Sequence, residues 1–115
     1  MSNITMVHGD TVEFDEVITD NEGPVDITTL TLRFMLKMKV TDADGDAIIE
    51  LVTGQGITVI DGPNGKARVR VPPDATEVLP NTRQTIFWEL QLEQDPNRWT
   101  VDGGKWKIVP ELIQA

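Results

Sequence analysis

The sequence predicts an all-β protein, an antiparallel β-sandwich of about seven to nine strands with one short helical turn. Hydrophobic residues alternate with polar ones along most of the chain, and clusters of Gly, Pro, Asn and Asp separate the alternating runs. The length of 115 residues is enough for one domain but not for two. We therefore expect a single domain over residues 1–115, with its core at about residues 9–109.

The two clearest strands are predicted at 30–41 and 85–93. Each run places apolar side chains on one face and polar side chains on the other, which indicates a strand with one buried face. Met35 and Phe87 are the apolar exceptions on the outward faces. The inward-facing residues are Leu30, Leu32, Phe34, Leu36, Met38 and Val40 in the first run and Ile86, Trp88, Leu90 and Leu92 in the second.

Shorter alternating or apolar runs predict the remaining strands. They lie at 11–18, 47–52, 57–60, 66–71, 99–101 and 105–108. Turn residues separate neighbouring runs, and Asp102-Gly103-Gly104 divides the last two. The segment from Asp74 to Leu79 follows two prolines, begins with a capping Asp and stops at Pro80, so it predicts the helical turn at 74–79.

Composition excludes several classes of function. Nineteen Asp and Glu against ten Lys and Arg give a net charge of −9. Surfaces that bind phosphates need clustered Lys and Arg, so we expect neither nucleic acid nor an anionic membrane as a partner. The chain has no Cys, no Tyr, one serine (Ser2) and one histidine (His8). These counts leave few catalytic arrangements, and we expect no enzymatic activity and no cofactor.

Targeting signals are not evident in the sequence. The N-terminus lacks the basic and apolar regions of a signal peptide. No stretch approaches the ~20 apolar residues of a membrane-spanning helix. We therefore expect synthesis in the cytosol, which leaves later incorporation into a particle open.

The acidic loop at 42–46 is the candidate for a metal site. Its carboxylates are Asp42, Asp44 and Asp46, and calcium prefers such oxygen ligands. An EF-hand loop needs Gly at position six and Glu at position twelve, whereas this loop has Gly at position four and Thr53 at position twelve. We favour a solvated loop, with a looser calcium site as the alternative. His8 has no nearby set of metal ligands and is expected at the surface.

Three aromatic or apolar residues are candidates for a contact with another protein. Phe87 and Met35 face outward in their strands, and Trp99 follows a turn, so all three are predicted interface anchors. Trp88 and Trp106 alternate with polar residues and are expected in the core. The alternative is that the three tryptophans form a platform on which a carbohydrate stacks.

The acidic residues are unevenly distributed. Residues 1–32 contain seven Asp and Glu and no Lys or Arg. This imbalance serves solubility, or it provides a surface that docks against a basic partner or against another copy.

Four signatures occur in a fixed order along the chain. They are Gly9-Asp10-Thr11-Val12-Glu13-Phe14, Gly23-Pro24-Val25-Asp26-Ile27-Thr28, Trp88-Glu89-Leu90-Gln91-Leu92 and Thr100-Val101-Asp102-Gly103-Gly104. In the order of these signatures the chain resembles the immunoglobulin-like β-sandwich modules of tailed bacteriophages. It is most similar to the N-terminal domain family of the baseplate upper protein, in which the last signature is a closing hairpin.

The resemblance implies a structural role in a virion. A protein of this family packs into a baseplate, tail or neck, so the expected partners are other phage structural proteins and further copies of the chain. The family implies no catalytic residues. Two alternatives stay open: a carbohydrate-recognition or host-binding accessory module, with or without calcium, and a head decoration protein.

Overall fold

Residues 3–112, the part of the chain that this computed structural model describes, contain ten β-strands, one α-helical turn and two 3-10 turns, Asp44–Asp46 and Gly62–Asn64. Ser2 lies outside the described residues. The strands are β1 Ile4–Val7, β2 Val12–Val17, β3 Thr19–Asp20, β4 Gly23–Pro24, β5 Thr31–Lys37, β6 Ile49–Thr53, β7 Gly56–Asp61, β8 Lys66–Val71, β9 Gln84–Gln94 and β10 Asn97–Val109. The count exceeds the expected seven to nine because β3 and β4, of two residues each, form a small hairpin.

The all-β sandwich predicted from the alternation is confirmed. Eight strands are hydrogen-bonded in the order β1-β10-β9-β5-β6-β7-β8-β2, and all neighbours are antiparallel except β1 with β10 and β6 with β7. This sheet folds over on itself. Phe14, on the terminal strand β2, lies 6.1, 5.4 and 6.4 Å from the ring centres of Phe34, Trp88 and Trp106 on β5, β9 and β10.

The sheet bends from one layer to the other where β6 leads into β7, since these two strands pair over only two residues each. Gly56 begins β7 with a φ of +94°, a conformation that residues with a side chain rarely adopt. A Cβ atom at Gly56 would stand 2.6 Å from the Cδ2 atom of Leu51. The glycine therefore lets the chain turn from one layer to the other while Leu51 packs against the corner.

Four aromatic rings form the centre of the core. Phe34 and Trp106 are fully buried, Trp88 is buried, and Phe14 packs against them from the second layer. The Trp106 Nε1–H group donates a hydrogen bond to the Met6 Sδ atom at 2.8 Å. The prediction that Trp88 and Trp106 belong to the core is confirmed.

The strand predicted at 30–41 ends earlier, at Lys37. Met38 and Val40 are 44% and 71% exposed, so their expected burial is wrong. The chain turns because Asp42 holds residue 39 at both backbone groups: the Asp42 N–H donates to the Lys39 carbonyl, and the Lys39 N–H donates to the Asp42 carboxylate, each at 3.1 Å. Such a turn takes the last alternating residues out of the sheet.

The break predicted at 102–104 is wrong, and so is the hairpin implied there by the family resemblance. Strand β10 continues through these residues, with a bulge between Thr100 and Asp102. The bulge adds one residue, which shifts the alternation of faces. Trp99 and Trp106 would otherwise face opposite sides, but they pair with the inward-facing Leu92 and Ile86.

His8 lies inside the protein, so its expected surface position is wrong. The Nε2 atom donates a hydrogen bond to the Leu79 carbonyl at 2.8 Å, since a carbonyl oxygen only accepts. The neighbouring Gly9 N–H donates to Thr76 Oγ1 at 2.9 Å. Both bonds tie the turn after β1 to the segment around the helical turn α1, Asp74–Glu77. The turn begins where the sequence predicts it, but its N-cap residue is Pro73, so the capping role expected of Asp74 is wrong. No helix in the described part of the chain is long and apolar enough to cross a membrane.

The aromatic centre makes a prediction about stability. Replacing Phe34 by alanine removes a fully buried ring that touches both layers, and we expect the free energy of unfolding to fall by about 3–5 kcal/mol. The measurement is urea unfolding followed by tryptophan fluorescence. The control Val78→Ala, at a position 74% exposed, should change stability by less than about 0.5 kcal/mol. Equal losses in the two variants would contradict this account of the core.

Candidate interaction surface

Met35 and Phe87 lie together on the outer face of the sheet. They line one shallow groove with Val40, and we call these three residues the outer patch. Strand pairing explains the meeting, because β5 and β9 are neighbours and both residues point away from the core. The polar residues around the patch are Arg33, Lys37, Asp44, Glu89 and Gln91.

Ion pairs hold the charged rim of the outer patch in place. Arg33 pairs with Glu50 on β6 and with Glu93 on β9, where the Nε to Oε1 distance is 2.8 Å. The Lys37 Nζ atom lies 2.7 Å from the Asp44 carboxylate, and this hydrogen bond lowers the pKa of Asp44. The patch is therefore a small apolar surface within a fixed charged frame. Such a frame suits a specific contact better than a non-specific one.

Trp99 lies in a different place from the other two predicted anchors. It faces the inner side of the sandwich at one end, where the second layer leaves it 47% exposed. We call the surrounding cleft the end groove. Its apolar walls are Val17, Ile18, Val25, Leu30, Leu92, Trp99 and Val101, and its polar ones are Thr19, Asp20, Gln94 and Thr100. The predicted anchors thus belong to two surfaces.

A pair of carboxyl groups closes the seam above the end groove. In residues 3–112, β1 covers the edge of β10 only from Trp106 to Val109, and no backbone pairing joins β10 to β2. Glu16 on β2 instead hydrogen-bonds Asp102 on β10. Burial, together with this hydrogen bond and the nearby charge, raises the pKa of Glu16 to about 8. Glu16 therefore keeps its proton at neutral pH and donates it to Asp102, whose Oδ1 atom also accepts the Gly103 N–H at 2.8 Å.

The acidic N-terminal region is partly neutralised within the chain. Asp15 pairs with Arg68 at 2.7 Å and Glu13 with Arg70 at 3.7 Å, because β2 lies beside the basic strand β8. The hydrogen bond from Arg68 lowers the pKa of Asp15. Two of the seven acids in the region are therefore engaged within the chain. The other exposed acids of the region lie in the turns before β2 and around the β3–β4 hairpin.

The three candidate calcium ligands do not converge. Asp44 is engaged by Lys37, whose ammonium group also donates to the Asp42 carbonyl at 3.0 Å. The Asp42 carboxylate accepts the Lys39 backbone N–H. Within residues 3–112, no three acidic or histidine side chains form a group that could hold a metal ion.

Comparison with known proteins gives a match in structure but not in sequence. No protein-family model matches the chain, and no curated protein matches it. Solved structures do match, and one of them is the N-terminal domain of phage TP901-1 ORF48. The match has a TM-score of 0.52 and 12% sequence identity, and covers 94% of this chain and 85% of that chain. The chain shares its fold with a phage protein domain.

Two features of the surface escaped the sequence interpretation. The end groove depends on how the two layers overlap, which alternation does not reveal. The carboxyl pair could have been suspected from the sequence. Glu16 alternates in step with Val12, Phe14 and Ile18, so it faces inward with them. An acid in an apolar row indicates a buried partner, and the partner, Asp102, becomes inward-facing only through the bulge.

The carboxyl pair predicts that stability falls as the pH rises. Below about pH 4.5, Glu16 is protonated in both the folded and the unfolded chain. Between pH 4.5 and about 8 only the folded chain holds this proton, so the free energy of unfolding decreases with pH. Glu16→Gln keeps a neutral donor that does not titrate. We expect it to flatten this dependence and to be more stable than the natural chain above pH 8.

Urea unfolding between pH 5 and 9 measures the effect of Glu16→Gln. The matched control is Glu13→Gln, which removes a half-exposed carboxylate from the outer side of the same strand. Its pH dependence should follow that of the natural chain, because exposed ion pairs contribute little. Parallel curves for all three proteins would refute the assignment of the proton to Glu16.

The loop at 42–46 predicts no response to calcium. Since Lys37 already neutralises Asp44, a divalent ion would have to displace an ammonium group from its two oxygen partners. We expect superimposable thermal melting curves in excess calcium and in EDTA. A rise in melting temperature with calcium that disappears in Asp44→Ala would restore the metal-site hypothesis.

Proposed function

We propose that this protein is a non-enzymatic structural component of a tailed-phage particle, in its baseplate, tail or neck, and that it works through protein–protein contacts. The likeness in fold to a phage protein domain over 94% of the chain carries the proposal. The order of the first three sequence signatures supports it as well, whereas the hairpin implied by the fourth is absent from β10. Other structural proteins of the particle, or repeated copies of this chain, are the proposed partners.

The outer patch is the proposed contact surface. It offers Met35, Val40 and Phe87 on the exterior of a sheet whose inner face is already filled by the core. The ion pairs of Arg33 and Lys37 hold its rim in a fixed arrangement, so little side-chain freedom is lost on binding. Symmetric repetition in a particle multiplies such contacts, and a small patch then suffices.

A carbohydrate-recognition module is the second candidate. The half-exposed ring of Trp99, with Asp20 and Gln94 beside it, supports this candidate because an aromatic face with nearby polar groups suits a sugar. It ranks second because the other walls of the end groove are mostly aliphatic. Binding of glycans by a monomeric chain would favour it.

The proposed function is tested by incorporation into particles. A tagged copy supplied during infection should be found by mass spectrometry in purified particles of the phage whose genome encodes the chain. Phe87→Glu should lose most of this incorporation while keeping its melting temperature, because a charge in the outer patch opposes burial against a partner.

The matched control is Thr58→Glu, which adds the same charge at an exposed position of β7 in the other layer. This variant should be incorporated like the natural chain. Absence of the natural chain from purified particles would overturn the proposed function. Equal incorporation of both variants would remove the outer patch from it.

A further inference from the structure

Exposed apolar side chains occur in pairs at two places in the described chain. One pair, Val17 and Trp99, lines the end groove. The other, Met38 and Val40, stands in the turn after β5, residues 38–41, which we call the β5 turn. A large apolar side chain that stays exposed in a small protein marks a contact surface when several lie together.

The β5 turn, which we call the knob, presents one lysine between two exposed apolar side chains. Lys39 lies between Met38 and Val40, and its ammonium group forms no ion pair within residues 3–112. The two hydrogen bonds between residue 39 and Asp42 fix the shape of the turn. The apolar side chains and the free positive charge are therefore presented together on a turn that is already ordered.

The end groove has the complementary chemistry. Among the described residues, Asp20 is the one charged side chain that lines it. The Asp20 Oδ1 atom accepts the Glu22 N–H at 2.8 Å, so the carboxylate is held at the rim by the β3–β4 hairpin. The groove thus combines an aliphatic and aromatic floor with a single fixed negative charge.

We propose that the β5 turn of one copy inserts into the end groove of a second copy. Val40 and Met38 then pack against Trp99 and Val17, and Lys39 meets Asp20. Apolar surface covers apolar surface in this contact, and the one free charge of the turn faces the one charge of the groove. The inference rests on the proposed function, because Val40 also belongs to the outer patch.

The β5 turn and the end groove of one copy lie far enough apart to contact two different neighbours at the same time. Leu30 lines the end groove and Met38 begins the β5 turn, so eight residues of chain separate them, about 25 Å along an extended strand. A contact between two different surfaces of the same chain is heterologous, and a pair of copies joined in this way keeps one free turn and one free groove. Such contacts build a closed ring or an open file of copies.

Sedimentation velocity of mixed variants tests this contact. The natural chain should self-associate with rising concentration. Val40→Asp disables the knob and Trp99→Ala disables the groove, so each variant alone should remain monomeric. Their equimolar mixture should form a dimer and nothing larger, since only one good knob and one good groove remain. An isologous contact would not be restored by mixing.

Controls separate loss of contact from loss of folding. Val17→Asp disables the opposite wall of the groove and should replace Trp99→Ala in the mixing experiment, which covers the case that Trp99→Ala unfolds. Val78→Asp, at an exposed site outside both surfaces, should self-associate like the natural chain. A natural chain that stays monomeric, or variants that do not complement each other, would overturn the inference. The proposed function is tested separately, by incorporation into particles, so it would still stand if this contact were disproved.

Discussion

The contact of Phe14 with the rings of Phe34, Trp88 and Trp106 is the interaction on which the sandwich depends. Phe14 is at the end of the strand order, and the other three come from its first half, so these contacts bring the two layers together. The Phe14–Trp88 pair is edge-to-face, and such a pair adds about 0.5–1.5 kcal/mol beyond the area buried. The outer patch and the end groove both follow from this packing. The patch lies on the face of the sheet that the core does not use, and the groove lies at the end of the sandwich where the two layers do not meet.

Local alternation predicted the strands and the helical turn well, because each depends on residues close in sequence. The inner rows of β5 and β9 and the turn at Asp74–Glu77 are all where the sequence places them. The same alternation correctly predicted that Met35 and Phe87 face outward, so these two residues of the outer patch were identified from the sequence. Their meeting on neighbouring strands required the pairing of β5 with β9, which alternation alone does not give.

The errors at 38–41 and at 102–104 share one physical cause, which is that a single residue can end a strand or change the face that the following residues occupy. The bulge beside Val101 reverses the parity between Trp99 and Trp106 and turns a predicted break into a continuous strand. Asp42 ends β5 by binding residue 39, although Met38 and Val40 continue the apolar pattern. In both cases hydrogen bonds to backbone groups determine where the strand ends or changes face, and the pattern of apolar residues does not reveal those bonds.

The unpaired edge of β10 limits the ways in which copies of this chain can assemble. An exposed strand edge offers backbone groups to any other strand, which leads to aggregation. Here side chains already accept two of these donors: Asp102 accepts the Gly103 N–H, and Asn3 accepts the Lys105 N–H. Addition of a foreign strand would have to displace both and open the bond between Glu16 and Asp102. The contacts proposed for the outer patch and the end groove use side chains and displace none of these bonds.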